Sequence, residues 1–264
     1  MKILFLCPQP FFTWRGSPIR VGFDLQALAD LGHALDVLVM PIGEDREIPG
    51  VRLMRVPNVI RVKSLPIGPS PAKAILDLFL FFKAVRLARK NRYDVIHGVE
   101  EAGAIAVMVS RLAGGRVVYE KHSDPSSYRG GVVKSTVMWF YRKVERFTIR
   151  RADAVIGTGP ALAEQARAVN PDIPAYHIFD TASSLVKADP DRTAEARAGL
   201  IRNAEDVLIT YVGSFASYQG IDLMFDAIVH VARTHPAARF VVIGGTPDEI
   251  ADRTAWLREH GAED

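Results

Sequence analysis

One short apolar run near the start of the chain, KILFLC at residues Lys2–Cys7, gives the clearest indication of the fold. Pro8 ends this run. The run is far shorter than the ~18–20 apolar residues that a membrane-spanning helix needs. It also lacks the longer apolar core and the small-residue cleavage site of a signal peptide. A short strand that is apolar on both faces is typical of a parallel sheet covered on both sides. We therefore interpret this run as a buried first strand.

Outward from this strand, apolar runs of strand length alternate with amphipathic stretches of helix length. The sequence predicts further strands at 35–40, 51–56, 93–97, 116–120, 154–158 and 175–178. Helices are expected at 18–31, 73–92, 101–113, 133–151 and 160–169. Such strand–helix alternation indicates an α/β fold with a parallel sheet. Ligands of open parallel sheets bind beyond the carboxyl ends of the strands, so candidate site residues are sought there.

The pattern also divides the chain into parts. We expect an N-terminal domain at residues 1–184, a polar linker with one short helix at 185–205, and a second domain at 206–264. The second part holds only strands at 207–212 and 240–243 and two helices, fewer strands than the ~5–6 of an ordinary sheet. Either this unit packs onto the first sheet or the sequence is a piece of a longer protein. We favour an incomplete second domain.

Composition and motifs exclude several functional classes. The chain has 33 basic and 30 acidic residues and a single cysteine, Cys7, so it forms no internal disulfide and a cytoplasmic location is expected. No G-x-G-x-x-G follows the first strand, which argues against a nicotinamide dehydrogenase. There is no G-x-S-x-G nucleophile elbow, and the seven histidines lack zinc-ligand spacing, so no metal site is predicted.

Four groups of segments carry a family resemblance through their order and spacing. They are 2–7 with Gly16 in the following loop and 29–33 at the helix end; 93–97; 117–122 with 151–157; and 210–215 with 218–222 and 240–245. Together they resemble the family 4 retaining glycosyltransferases of the GT-B fold. The resemblance implies a Rossmann-like domain for the acceptor, followed by the start of a second Rossmann-like domain for a UDP- or GDP-linked sugar. It implies transfer with retention of configuration and no obligatory metal, so the nucleotide-sugar is a co-substrate and no cofactor is expected.

The resemblance also implies roles for particular residues. His122 would lie beside the transferred sugar as the catalytic candidate, while Gly16 and Gly213 would let backbone approach the donor diphosphate. Ser214, Gln219 and Gly220 complete the donor-binding prediction. The predicted helices after Ser17 and Gly220 suit phosphate, because their N-termini offer N–H donors and a positive dipole end. Taken singly, the glycines could be turn residues, and His122 could be a structural histidine.

The second domain departs from the family at two positions. Members commonly carry a basic residue where this chain has Ser214 and a lysine where it has Gln219, and the family's glutamate pair would lie beyond Asp264. These departures keep two other functions open. One is a non-catalytic partner subunit that binds sugar nucleotides, and the other is a GT-B nucleotide-sugar epimerase.

Acceptor-binding candidates lie at another predicted strand end. His97, Glu100 and Glu101 follow or end the strand at 93–97. The two glutamates could instead complement the positive N-terminus of the next helix.

Two predicted helices are strongly basic and carry large apolar residues. Residues 73–92 contain six basic residues and one acidic residue, and residues 129–151 contain seven and one. Basic amphipathic helices with aromatic residues suit an anionic membrane surface, which would place the protein at the inner face of the membrane. A solvated basic face is the alternative. Nucleic acid is not expected, because no recognition motif accompanies the charge. A glycan, lipid-linked or small-molecule acceptor in cell-surface polysaccharide or glycolipid synthesis would fit this surface.

Overall fold

The computed structural model describes residues 1–12, 16–65, 70–124, 132–180, 188–216 and 219–262, without the side chains of 132–135. The chain forms two compact units, Met1–Ser183 and Ser184–Asp264. The domain end predicted at residue 184 and the first three residues of the predicted linker lie outside the described residues.

The first unit is built on one parallel sheet. Its strands are β1 (Lys2–Cys7), β2 (Ala34–Val39), β3 (Val51–Arg55), β4 (Val95–Val99), β5 (Arg116–Lys121), β6 (Ala154–Gly157) and β7 (Ala175–His177). They pair in the order β3-β2-β1-β4-β5-β6-β7, and every pairing is parallel. The order reverses between β1 and β4, which makes the carboxyl ends of these strands the expected ligand position.

Helices cover this sheet because its central strands are apolar on both faces. They are α1 (Gly16–Asp30), α2 (Pro71–Asn91), α3 (Ala102–Ala113), α4 (Val132–Ile149) and α5 (Pro160–Val169). Leu4 and Leu6 of β1 pack in one apolar cluster with residues of α2 and α3, whereas Phe5 and Cys7 pack in another with residues of α1. The predicted parallel α/β sheet is confirmed.

Local signals explain the ends of α2. Ser70 caps the helix by accepting a hydrogen bond from the backbone N–H of Lys73, and Pro71 begins it with a preset φ angle. The helix ends where Arg92 adopts a left-handed conformation with φ 50°.

The second unit contains a short helix, α6 (Pro190–Ala198), and two parallel strands, β8 (Val207–Val212) and β9 (Ala238–Ile243), with the helices α7 (Ile221–Thr234) and α8 (Pro247–Glu259). Ile221, Phe225 and Ile228 of α7 form its buried centre. A reciprocal capping box between Thr246 and Glu249 begins α8. The described strands and helices of the first unit begin and end within two residues of their predicted positions, and so do the two strands of the second unit.

No helix among the described residues is long and apolar enough to cross a membrane.

Candidate functional site

His122 directly follows β5, at the carboxyl edge of the sheet. Its Nδ1 atom lies 2.8 Å from the Oγ atom of Ser17, in the first turn of α1. Two residues 105 positions apart in the sequence therefore meet, and they bring Gly16 to the same edge. Gly16 is exposed, and no described atom lies within 4 Å of the position that a Cβ would take there.

Glu120 is the centre of the polar cluster behind His122. Its side chain is 1% exposed, and its two oxygens contact three nitrogen donors. Oε1 lies 2.8 Å from Nε of Arg20 and 2.8 Å from Nε2 of His122, while Oε2 lies 2.8 Å from Nε2 of His97. Burial of a carboxylate is tolerable here because charged and hydrogen-bonding partners replace its water. We call Glu120, Arg20, His97 and His122 the Glu120 cluster.

The pKa values in this cluster reflect that pairing. Burial by itself would raise the pKa of Glu120, but the hydrogen bonds from His122 and His97 and their charges hold it well below its usual range. Burial would lower the pKa of His122, but the hydrogen bond and charge of Glu120 raise it above 6.5. Each group of the pair therefore stabilises the charged form of the other, a carboxylate on Glu120 and an imidazolium on His122.

Arg20 of α1 ties the cluster to the end of the first unit. Its Nη1 atom donates to Oδ1 of Asp180 at 2.8 Å and to the backbone oxygen of Phe179 at 3.0 Å. Asp24, one turn further along α1, lies 3.6 Å from Nε of Arg20. Burial, followed by the charge of Glu120, raises the pKa of Asp24 to about 7.

Glu100 supports the backbone after β5. Its Oε1 atom accepts the backbone N–H of His122 at 2.8 Å, and its Oε2 atom accepts the hydroxyl of Ser123 at 3.1 Å. Burial raises the pKa of Glu100, although the charge of His122 opposes that shift. Glu100 was predicted to bind an acceptor, and the structure places its carboxylate against the His122 loop.

Glu101 lies at the N-cap of α3 but makes no side-chain cap hydrogen bond. It forms an ion pair with Lys73 of α2 instead. Asp77 lies on the same helix as Lys73, and burial together with the charge of Glu101 raises the pKa of Asp77 to about 7. One Asp77 oxygen is buried without a hydrogen-bond partner among the described residues. This second predicted acceptor residue therefore belongs to a charged contact between α2 and α3.

His97 lies within β4, whereas the sequence placed it at the strand end. The strand extends to Val99, so His97 is buried, and its ring stacks on Phe5 at 4.0 Å. Because Nε2 of His97 contacts Glu120, His97 supports the Glu120 cluster from inside the sheet. The strand was predicted two residues too early because Gly98 is a residue type that often ends a strand.

The predicted donor loop of the second unit follows β8. Gly213 and Gly220 flank it, and Ser214 and Gln219 are exposed. Gly220 has φ 72°, a conformation that favours glycine, and it precedes the first turn of α7. A Cβ on Gly213 would come 2.6 Å from the hydroxyl oxygen of Tyr211. Tyr218 and its neighbour at 217 lie outside the described residues.

Sequence reasoning missed Glu120 and Arg20 as members of the site. Two adjacent charged residues, Glu120 and Lys121, follow the apolar segment 117–119 at the end of β5, and both are buried. Because buried charges require partners, that pattern was an available signal. No comparable signal marked Arg20, which looks like an ordinary helix-surface residue. Gly98 was also missed, and a Cβ there would lie 2.4 Å from the carbonyl oxygen of Ala102.

Within the described residues, no group of three or more histidine, cysteine or acidic side chains is arranged to hold a metal ion.

A polar cluster at the strand-order reversal of a parallel sheet is the arrangement found in α/β enzymes that use nucleotides. The comparison with known families narrows that class. The model of the glycosyl transferase 4-like domain matches residues 16–179, so the chain belongs to that glycosyltransferase family. The resemblance to family 4 is thereby confirmed, and the chain is classed as a transferase.

Solved structures agree on the fold. Anabaena Alr3699/HepE in complex with UDP superposes with a TM-score of 0.67 at 18% identity, over 100% of this chain and 67% of that one. The lipopolysaccharide outer core galactosyltransferase WaaB gives a TM-score of 0.62 at 12% identity, over 100% and 66%. A Listeria monocytogenes protein assigned as a UDP-N-acetylglucosamine 2-epimerase gives 0.60 at 11% identity, over 99% and 67%. The GT-B fold is confirmed, and the chain spans about two thirds of the length of these proteins. No curated protein sequence matches it.

Proposed function

We propose that this chain is the acceptor domain and part of the donor domain of a retaining glycosyltransferase. The reaction moves a sugar from a nucleotide-sugar to a glycan, lipid-linked or small-molecule acceptor. The observation that carries the proposal is the contact between His122 and the first turn of α1 in a domain of the glycosyl transferase 4-like family. It places an imidazole with a raised pKa beside a helix N-terminus.

The positive groups at His122 and the N-terminus of α1 suit a departing diphosphate. Cleavage of the sugar–phosphate bond leaves negative charge on the nucleotide, so the site needs donors and positive groups aimed at it. The first turn of α1 contains no acidic residue, and its N–H groups are the positive end of the helix dipole. With an imidazolium at His122, these groups supply positive charge without a metal, as the family resemblance implies.

The donor is proposed to be UDP- or GDP-linked. Support for UDP comes from the HepE structure, which holds UDP on the same fold. Gly213, Ser214, Gln219 and Gly220 are the proposed donor-binding residues of the second unit. Ser214 and Gln219 offer neutral hydrogen bonds where the family commonly places cations, so we expect this chain to bind the nucleotide more weakly than a protein with those cations.

Thermal unfolding with added ligand tests the donor proposal directly. A ligand that binds only the folded chain raises the unfolding temperature with its concentration. We expect UDP or GDP, but not ADP, to raise it, and the matching nucleotide-sugar to raise it as well. An equal response to all three nucleotides, or to none, would contradict the proposed donor site.

An epimerase is the second candidate, because the Listeria protein assigned as an epimerase shares the fold. Proton NMR of a UDP-sugar incubated with the protein separates the two reactions. An epimerase changes the configuration of the sugar and leaves it on the nucleotide. A transferase releases UDP only when an acceptor is present, and the anomeric coupling of the product reports retention. A non-catalytic subunit would bind the nucleotide and do neither.

We further propose that α2 and α4 contact an anionic membrane, which would place the acceptor chemistry at the inner face of the cytoplasmic membrane. Trp139 is 54% exposed and Phe140 is 59% exposed on α4, although both are large apolar residues. Lys143 lies 5.4 Å from the centre of the Trp139 ring, and Arg142 and Arg146 are neighbours on the same helix. On α2, Phe82 is exposed as well. Aromatic side chains with adjacent cations suit the headgroup region of anionic lipid. Synthesis of cell-surface polysaccharide or glycolipid would follow from such a location.

A further inference from the structure

We propose that Glu120 is the positioning residue of His122: its buried carboxylate holds the Nε2 side of the imidazole so that Nδ1 faces Ser17 at the start of α1. The inference rests on the proposed role of His122 in sugar transfer. Glu120 would thereby fix a proton on Nε2 of His122 and direct Nδ1 towards Ser17.

The nitrogen atoms around the Glu120 carboxylate are hydrogen-bond donors. An ionised carboxylate only accepts hydrogen bonds, so each nitrogen at hydrogen-bond distance must carry a hydrogen. Oε1 of Glu120 lies 2.8 Å from Nε2 of His122 and also 2.8 Å from Nε of Arg20. Nε2 of His122 is therefore protonated whether the ring is neutral or charged.

The opposite side of the ring contacts Ser17. Nδ1 of His122 lies 2.8 Å from Oγ of Ser17, and a hydroxyl can either donate or accept. When the imidazole is neutral, Ser17 donates its hydrogen to Nδ1. When the ring is charged, Nδ1 donates to Oγ, and the hydroxyl hydrogen of Ser17 turns to another acceptor. The charge of His122 thus decides whether Ser17 can donate to an anion at the first turn of α1.

Several charged groups surround the imidazole ring of His122. Arg20 and Asp24 act on it from α1, Glu100 from the turn before α3, and Glu120 from β5. His97 of β4 binds the other oxygen of Glu120. Glu120 and Glu100 favour the charged imidazole, whereas Arg20 opposes it. Glu120 and Arg20 therefore act on His122 in opposite directions, although they bind each other.

Nuclear magnetic resonance of the histidine rings tests this arrangement independently of any sugar transfer. The full chain is labelled with ¹⁵N-histidine, and the His122 signals are assigned by their loss in H122Q. In the wild-type chain we expect a titration midpoint above 6.5 and, at high pH, the tautomer with the proton on Nε2. A neutral ring with its proton on Nδ1 would overturn the proposal without any variant at Glu120.

Two substitutions then separate positioning from simple packing. Glu120→Gln removes the negative charge at nearly constant shape, and we expect the His122 midpoint to fall by about one pH unit or more. Arg20→Gln removes the opposing cation, and we expect the midpoint to rise. A site that was merely loosened would move both midpoints towards 6.5 together. An unchanged midpoint in Glu120→Gln, or a shift of the same sign in both variants, would refute the positioning role.

The outcome also distinguishes this inference from the proposed function. If the midpoints and tautomer follow Glu120 while H122Q transfers sugar at the wild-type rate, the positioning is real and the proposed role of His122 is wrong. If H122Q abolishes transfer but the tautomer does not depend on Glu120, His122 acts in transfer and the positioning role of Glu120 is wrong.

Discussion

Gly98 lies so close to Ala102 that a Cβ added to Gly98 would come 2.4 Å from the carbonyl oxygen of Ala102. The obstacle is backbone, so it cannot rotate away as a flexible side chain would. Absence of a side chain at Gly98 lets β4 pass directly under the first turn of α3. The adjacent residues Glu100 and Glu101 thereby reach the His122 loop and Lys73.

Gly98→Ala should therefore destabilise the first unit. We expect the free energy of unfolding to fall by about 1–3 kcal/mol, the range for overpacking a tight site. Urea unfolding followed by circular dichroism measures it. Gly16→Ala is the matched control, because a Cβ there meets no described atom within 4 Å. Equal stability of the two variants would contradict this account of Gly98.

Loss of Arg20 should cost far more than loss of a surface charge. Arg20→Met removes the guanidinium partner of the buried Glu120 carboxylate, and removing one partner of a buried pair typically costs about 3–5 kcal/mol. The control is Asp222→Asn, since Asp222 is 81% exposed in its ion pair with Arg253. An exposed pair contributes about 0–1 kcal/mol. Denaturant unfolding of both variants gives the comparison, and a cost for Arg20→Met as small as the control's would contradict it.

The raised pKa values predict a pH dependence of stability. Asp77 titrates at about 7 in the folded chain against 3.8 when unperturbed, so the folded state holds its proton more tightly. A raised carboxyl pKa gives stability that is present below about pH 4 and is lost as the pH rises through 7. The loss is at most about 1.4 kcal/mol per pH unit for one proton.

Asp77→Asn imitates the neutral acid and should remove this loss. We expect the variant to gain stability over the wild-type chain at pH 8 and to match it near pH 4. Unfolding measured from pH 4 to pH 8 checks the sign. Parallel curves for the two proteins would show that Asp77 does not titrate in this range.

A negative charge at the start of α1 should weaken nucleotide binding. Gly16→Asp places a carboxylate where the diphosphate is proposed to lie, whereas Gly16→Ala adds only a methyl group into open space. We expect the thermal shift with UDP or GDP to vanish in the first variant and to persist in the second. If Gly16→Asp keeps the full shift, the nucleotide does not approach α1.

The exposed aromatic residues of α4 should control membrane binding. We expect the wild-type chain to sediment with phosphatidylglycerol vesicles at low salt. Trp139→Ala/Phe140→Ala should bind at least about tenfold more weakly, since each large apolar side chain contributes 1.5 kcal/mol or more when it is fully buried, by an approximate transfer scale. Leu31→Ala, which removes an exposed apolar residue at the end of α1, should leave binding unchanged. Equal binding of all three chains, or none by the wild-type chain, would refute the membrane proposal.

Much of the fold could be predicted because its signals are local. The apolar run of β1, the proline that ends it and Gly32 after α1 each act within a few residues. The candidate site was predictable only in part. His122 and Gly16 were found through their position after strands and the family resemblance, but Arg20 and Glu120 were not.

The amino-acid sequence alone specified the order of strands and helices, because hydrophobic periodicity and capping are properties of neighbouring residues. It also determined the family through the spacing of several segments. Which charged residues meet depends on the folded chain, since the contact of Arg20 with Glu120 joins residues 100 positions apart. In the structure His97 binds Glu120 and Glu100 binds the backbone of His122, while their role in acceptor binding stays a prediction. The physical reason is burial. A charged group that is removed from water is stable only when the fold places hydrogen-bonding or oppositely charged partners beside it.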